Sequence, residues 1–331
     1  MKIWPWKRTW IAKNAPERVA SLTFENVKKI AVLKHAALGD LYMTRPFLVT
    51  LRHYFPNAHI TLSVASHYMK GVPDDLVDSL HITHGSHKRQ SLLNQFKNYR
   101  QLGEQDIIFD ISAVTRTFWI TLLNKSRLKV GFKHKAVHPL IYDLAVTRTG
   151  YKLEAETFLD QLLALGLRYQ WPLDFALTAP QYDHKRPYIV YFPTASDSYK
   201  AWEADRFKQL IDEMLTSYPE HDHILLSGIA NWEQKVCENI ARQVPENNHF
   251  KMITGGKETI ALVSNADLLV CNDTGIRNMA IAYSTPTVGL FIETLPFNYE
   301  PRFGKHEIIY NITGGQPEVS QVKAAADKIL A

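Results

Sequence analysis

Three short segments carry side chains of the kind that move protons or hold anions. In Ala37-Leu38-Gly39-Asp40 a carboxylate stands just ahead of a helical stretch. There it either caps free N–H groups or, with a hydroxyl in reach, takes its proton as a general base. In Asn272-Asp273-Thr274-Gly275 a polar turn separates an apolar run from a helical stretch. The N–H groups opening such a helix point at an anion and Gly275 lets a phosphate approach closely, or else the turn is simply a cap. In Thr194-Ala195-Ser196-Asp197-Ser198-Tyr199-Lys200-Ala201-Trp202 the hydroxyls of Thr194 and Ser198 and the ammonium of Lys200 can neutralise a diphosphate, with Trp202 packing as an anchor. The alternative is a solvated loop lysine.

Each segment follows a short apolar run, and those runs set the fold class. Ile30-Ala31-Val32-Leu33, Ile60-Thr61-Leu62-Ser63-Val64 and Ile107-Ile108-Phe109-Asp110 read as strands, with a helix over 41–54 between the first two. After a proline-marked stretch (Pro172, Pro180, Pro187) a second series begins, with strands at 188–192, 224–227, 268–271 and 287–291. Helices are expected over 203–215, 232–243, 259–264 and 276–283. Strands alternating with helices predict parallel sheets, so the expected architecture is α/β with two Rossmann-like domains facing a cleft at their strands' carboxyl ends. The expected divisions are a basic, tryptophan-rich arm (1–27), a first domain (28–175), a linker (176–187) and a second domain (188–331).

Composition narrows the function classes. The 331 residues are 46% hydrophobic with two cysteines, which excludes a disordered chain and a disulfide framework. The longest uncharged run near the C-terminus, 279–292, is too short and too polar to span a bilayer. No Asp-x-Asp, Gly-x-Gly-x-x-Gly or Gly-x-Ser-x-Gly occurs. Gly256-Lys257 fails as a phosphate loop because residue 251 is Lys and Glu258 replaces the Ser or Thr that would hold magnesium. His81, His84 and His87 are spaced for a metal, but Gly85-Ser86 between them reads as a loop. No metal and no cofactor are expected.

The net charge of +5 is unevenly placed: residues 1–18 carry five cations against Glu17, and Lys125, Arg127, Lys129, Lys133 and Lys135 form an acid-free cluster. Such patches fit nucleic acid, phospholipid headgroups or a phosphorylated substrate, and no helix-turn-helix, OB or RRM pattern favours nucleic acid. The first residues lack the apolar core of a signal peptide, so a cytoplasmic location is expected. Trp4, Trp6 and Trp10 among lysines and arginines have the composition of a membrane interface, or of an arm packed on its own domain.

In order and spacing these pieces resemble glycosyltransferase family 9, the ADP-heptose:lipopolysaccharide heptosyltransferases. The resemblance rests on 29–33 through Ala37-Leu38-Gly39-Asp40, Thr44-Arg45-Pro46 and 54–60, then Lys200-Ala201-Trp202, then Gly256-Lys257-Glu258-Thr259 through Asn272-Asp273-Thr274-Gly275 and Thr285-Pro286-Thr287-Val288. It implies a GT-B fold and inverting, metal-independent transfer of a sugar from a nucleotide-diphosphate donor to a lipopolysaccharide core. It also implies a protein peripheral at the inner face of a bacterial inner membrane. By the same resemblance Asp40 is the base, Lys200 holds the donor phosphates, Thr274 and Gly275 contact the diphosphate, and Asp273 holds donor-sugar hydroxyls. A nucleoside-contacting glutamate falls at Asn231 or Glu233. Lys125, Arg127, Lys129, Lys133 and Lys135 would meet the anionic acceptor. Two positions depart from the family: Asn278 replaces a histidine, and Ile292-Glu293-Thr294 replaces Gly-Pro-Thr. The rival reading is a catalytically silent module of the same fold that binds nucleotide or glycan, against which stands the joint presence of Asp40 and Lys200.

Overall fold

The computed structural model describes residues 1–4, 9–66, 69, 71–84, 90–134 and 136–331, and the chain divides into two compact units, Met1–Ala176 and Leu177–Ala331. The first contains β1 (Trp10–Ile11), α1 (Ala15–Ala20), β2 (Lys29–Leu33), α2 (Leu38–Tyr54), β3 (His59–Ala65), β4 (Ser79–Thr83), α3 (Leu92–Arg100), β5 (Gln105–Asp110), α4 (Thr115–Leu123), β6 (Ser126–Phe132), α5 (His138–Ile141), β7 (Leu144–Val146) and α6 (Glu154–Leu163). Its sheet runs β1-β7-β6-β5-β2-β3-β4, parallel except where β1 pairs antiparallel with β7. β2 is central, and Ile30, Ala31, Val32 and Leu33 are fully buried, which is why the strand reads as an unbroken apolar run. From β2 the chain builds outward to β3 and β4, then returns to the other side of β2 for β5, β6 and β7. The strand order therefore reverses between β2 and β5, the place where open parallel sheets leave a crevice at their carboxyl ends.

The second unit contains β8 (Tyr188–Phe192), α7 (Ala204–Ser217), β9 (Asp222–Ser227), α8 (Asn231–Gln243), β10 (Phe250–Thr254), α9 (Thr259–Ser264), β11 (Leu268–Asn272), α10 (Gly275–Ala282), β12 (Thr287–Phe291), β13 (His306–Tyr310) and α11 (Val319–Leu330). Its sheet is fully parallel in the order β10-β9-β8-β11-β12-β13. Here the order reverses between β8 and β11. One core packs α7, α8 and α11 on this sheet through Phe207, Leu210, Ile240, Val322 and Ile329.

Three features differ from the sequence reading. The acid-free cluster at 125–135 is mostly a strand: Leu128, Val130 and Phe132 of β6 are buried while Arg127 and Lys129 alternate with them. The charges masked a two-residue period. The described part of the N-terminal segment is packed on its own unit. Trp10 lies in β1 with its ring edge-on to His138 at 5.6 Å, and Ala15, Val19 and Leu22 are buried. Trp6 lies outside the described residues, and Trp4 is exposed. Finally, α2 begins at Leu38, so Gly39 and Asp40 belong to its first turn rather than to a loop before it. Among the described residues no helix is long and apolar enough to cross a membrane.

Candidate active site

Asp40 sits at the carboxyl end of β2. Ala37, in extended conformation, is the N-cap of α2, and its N–H donates to the Asp40 carboxyl from three residues back, as the acidic member of a capping box does. Capping and proton transfer are thus compatible at this residue, since a carboxyl has a second oxygen. The loop leading to it is tied on both sides. The His35 N–H donates to Ser112 Oγ at 2.6 Å, and His35 Nε2 lies 2.9 Å from Ser63 Oγ. Ser112 is held by Asp110 at the end of β5. The Asp110 carboxyl accepts the N–H groups of Ser112 (3.0 Å) and Ala113 (2.9 Å) and the Tyr142 hydroxyl (2.6 Å).

Around Asp40 the fold assembles a charge network with no local sequence signal. Lys34, 2% exposed, directly follows β2 and places its ammonium 3.5 Å from Glu154 and 4.2 Å from the centre of the Phe158 ring. Arg148 reaches the same Glu154 carboxylate at 2.7 Å. Burial pushes Asp40 up to about 6; the Lys34 charge opposes this, and the Glu154 charge and shared hydrogen bond add to it. Glu154 moves the other way, because Lys34, Arg148 and the Asp40 hydrogen bond together outweigh its own burial. The proton of the pair therefore resides on Asp40 below about pH 6 while Glu154 stays ionised. An acid poised close to neutrality suits a group that must accept a proton and later release it.

In the second unit the two remaining segments meet at its reversal point, one after β8 and one after β11. Asn272, fully buried, staples them: its Oδ1 accepts the Trp202 N–H at 2.9 Å and its Nδ2 donates to the Pro193 carbonyl at 2.8 Å. Trp202 is itself buried, edge-on to Phe207 at 5.0 Å and donating Nε1–H to the Pro317 carbonyl. Asn272→Ala strands a buried N–H and a buried carbonyl, each worth about 1–3 kcal/mol when left unpaired. Its urea midpoint is expected to fall accordingly.

Lys200 lies in a short 3-10 turn, Ser198–Lys200, with its ammonium 3.9 Å from Asp197 and over the Tyr199 ring. Ser198 is exposed. Across the staple, Thr274 is the N-cap of α10 in extended conformation, makes no side-chain cap bond, and leaves its buried hydroxyl without a partner. The first N–H groups of α10 are thus left to an anion. Asp273, half-buried, is raised by burial; Arg277, a hydrogen bond from Thr294 and the Lys200 charge all act against that rise. Lys200 and Asp273 are therefore close enough to interact. Glu293 is exposed.

Between Asn231 and Glu233, only Glu233 turns to the loop after β8. Its Oε1 accepts the Thr194 hydroxyl at 3.1 Å and its Oε2 the Ala230 N–H at 3.1 Å, and Gly228 lies against the carboxylate where any β-carbon would collide. Asn231 is exposed at the start of α8.

The lysine cluster does not come together as one acceptor surface. Lys125, Arg127 and Lys129 lie at the opening end and middle of β6, Arg127 pairing with Asp106 at the opening end of β5 at 3.3 Å. Lys133 alone follows the carboxyl end of β6, on the edge that carries Asp40, and Lys135 is outside the described residues. A strand rises about 3.3 Å per residue, so cations strung along one are carried to opposite edges of the sheet. Both ring nitrogens of His81 are occupied, by Ser63 Oγ and the Asn98 carbonyl, and His87 is outside the described residues.

Sequence reasoning missed Lys34, Arg148, Glu154 and Arg277. Arg277, 1% exposed, donates to the Tyr299 carbonyl at 2.8 Å and lies over the Phe291 ring, with Nε and Nη2 unpartnered. The lack of a side chain at Gly289 makes room for it. A lysine closing an apolar strand run was a legible hint for Lys34; the others act across the fold.

The family model for glycosyltransferase family 9 (heptosyltransferase) matches residues 97–328. The chain is 23% identical over 301 residues to the lipopolysaccharide core heptosyltransferase OpsX of Haemophilus influenzae, covering 83% of each. Among solved structures, it superposes on the family 9 glycosyltransferase of Veillonella parvula with a TM-score of 0.74, 20% identity, and coverage of 94% of this chain and 98% of that one. It superposes on E. coli heptosyltransferase WaaC with ADP with a TM-score of 0.75, 16% identity, and coverage of 91% and 99%. The fold they share is GT-B, as the sequence resemblance implied.

Proposed function

The chain belongs to glycosyltransferase family 9, and on that premise we propose that it transfers a heptose from an ADP-sugar to the lipopolysaccharide core, with inversion and without a metal ion. The acceptor hydroxyl attacks the anomeric carbon, a new C–O bond forms as the bond to the diphosphate breaks, and Asp40 takes the hydroxyl proton. Lys200 and the opening N–H groups of α10 receive the charge of the departing diphosphate. Asp273 holds sugar hydroxyls, Glu233 shapes the nucleoside side of the donor loop, and Lys133 faces the anionic acceptor.

The observation that carries this reading is the Asp40 carboxyl, raised to about 6 and framed by Lys34 and Glu154 at the end of β2. A residue serving only as a cap has no need of a buried ion network behind it. The donor half is supported by the uncapped start of α10 beside Lys200. The ADP donor and the lipopolysaccharide acceptor rest on the relatives' own descriptions, and the metal-free mechanism on the missing Asp-x-Asp.

Calorimetric titration of the purified protein in chelator with ADP, UDP and GDP tests the donor. ADP is expected to bind selectively, and Lys200→Ala to weaken it at least about tenfold, the worth of one charge-assisted contact. Selectivity for UDP or GDP would discard the heptose donor, and no nucleotide binding would discard the transferase.

A further inference from the structure

We propose that the outer face of α4, continued onto α3 and α5, docks on an anionic lipid surface. Large apolar side chains stand out of this face: Leu92 (71% exposed) and Leu93 (83%) on α3, Trp119 (42%) and Leu122 (46%) on α4, and Leu140 (79%) on α5. Leu92, Trp119, Leu122 and Leu140 line two grooves that share a helix. Trp119, edge-on to Phe96 at 5.4 Å, lines one groove with Leu92 and Arg116, while Leu122 lines a second with Leu140 and Lys125. Helix α4 is the shared wall. A soluble surface rarely collects so many bare leucines and a tryptophan together without a partner.

Charge decides the partner. Residues 79–103 and 111–142, which supply all three helices, contain ten lysines and arginines and no aspartate or glutamate. Of these cations, Lys97, Arg100 and Lys125 are the exposed ones among the described residues. The acids bordering the second groove come from outside these stretches: Glu104, and Asp143, which pairs with Arg18 at 2.9 Å. Apolar side chains beside an excess of cations, with Glu104 the exposed acid on the second groove, fit an interface of acyl chains under anionic headgroups, where the leucines and indole enter the boundary and the lysines and arginines meet phosphate. This assigns membrane contact to the α4 face, whereas Trp10 of the N-terminal segment is committed to β1. It also gives Lys125 a place that its distance from the carboxyl edge denied it as an acceptor ligand.

The purpose of this surface rests on the proposed lipid-linked acceptor, but its test does not. The full chain is sedimented with vesicles of phosphatidylglycerol and phosphatidylcholine, or of phosphatidylcholine alone, with neither donor nor acceptor present. Binding is expected to the anionic vesicles and to fall as salt is raised. Leu92→Gln/Leu93→Gln/Leu122→Gln is expected to weaken it about tenfold or more by removing the apolar insertion. Lys97→Glu/Arg100→Glu is expected to weaken it about tenfold at low salt, with the difference shrinking at high salt. Trp4→Gln is expected to bind as the parent does. These positions are exposed, and an unchanged ADP titration and melting curve verify that each variant is folded. The proposal is overturned if the parent ignores anionic vesicles or if the leucine variant binds them equally well. It is also overturned if the leucine variant loses only self-association in sedimentation velocity, which would make the face a contact between copies. Vesicle binding without any nucleotide binding would leave the surface standing and fell the transferase.

Discussion

Asp40→Asn is expected to lose sugar transfer by about 10²–10⁴-fold, the range of a removed general base, while melting at a higher temperature than the parent at pH 8. Both effects come from one cause. In the folded protein Asp40 is raised from 3.8 to about 6 by burial and by Glu154. Between those values the folded state keeps a proton that the unfolded chain has released, so the stability from this group is complete below about pH 4. It is lost as pH rises through about 6. The ceiling on that loss is about 3 kcal/mol, at 1.36 kcal/mol per pKa unit. Asparagine imitates the protonated form, since its amide still donates to Glu154, and it never ionises. The variant should therefore match the parent's melting temperature near pH 4 and exceed it at pH 8, while donor titration stays nearly unchanged. Transfer by the parent should rise through about pH 6 to a plateau as Asp40 becomes able to accept a proton. Melting curves at the two pH values and a pH–rate profile check all three. A variant that still turns over would remove Asp40 as the base.

Arg277→Gln is expected to destabilise the second unit by about 1–3 kcal/mol, since it strands the Tyr299 carbonyl and removes the cation that offsets the Asp273 charge. The Arg277 side chain is almost wholly buried. It lies buried on the Phe291 ring and against Gly289, and its charge is the largest influence lowering Asp273 against the rise that burial causes. Without it Asp273 rises further. The sign follows as for Asp40: a group raised in the folded state contributes most below its unfolded value and loses that contribution as pH rises. The deficit of Arg277→Gln should thus be smallest near pH 4 and largest near pH 8. Adding Asp273→Asn in that background should recover more stability at pH 8 than the same substitution gains in the parent, where Arg277 already offsets part of the rise. A double-mutant cycle in urea at the two pH values measures this coupling. On the donor side, KM should rise more than kcat falls, because Arg277 acts through Asp273 and the start of α10 rather than on the acceptor oxygen.

The central strands and the helices between them were legible because each is buried by a pattern of its own. β2, β8, β11 and β12 are covered on both faces and read as apolar runs. The edge strands were not, and for a physical reason. β4 and β13 are only half-covered and β10 carries an exposed Lys251, while the interior strand β6 was missed because it alternates leucine and valine with cations that looked like a binding cluster. The polar segments at 37–40, 194–202 and 272–275 were found because a strand-to-helix turn must solve a local problem, the unpaired N–H groups of the helix start. The residues that solve it are neighbours in the chain.

What stands around those turns is a different matter. Nothing near Asp40 in sequence announces Glu154 or Arg148, and nothing near Asp273 announces that Gly289 makes room for a buried Arg277. The sequence by itself determined which strands end in polar, helix-opening turns, because hydrogen bonds and apolar periodicity are settled within a few residues. Only the tertiary structure decided the electrostatics of those turns. It brought Lys34 and Glu154 into contact across 120 residues, carried the β6 cations away from Asp40, and left the leucines of α3, α4 and α5 facing outward. Coulomb interaction and desolvation depend on distance and burial in space, and a chain order does not contain either.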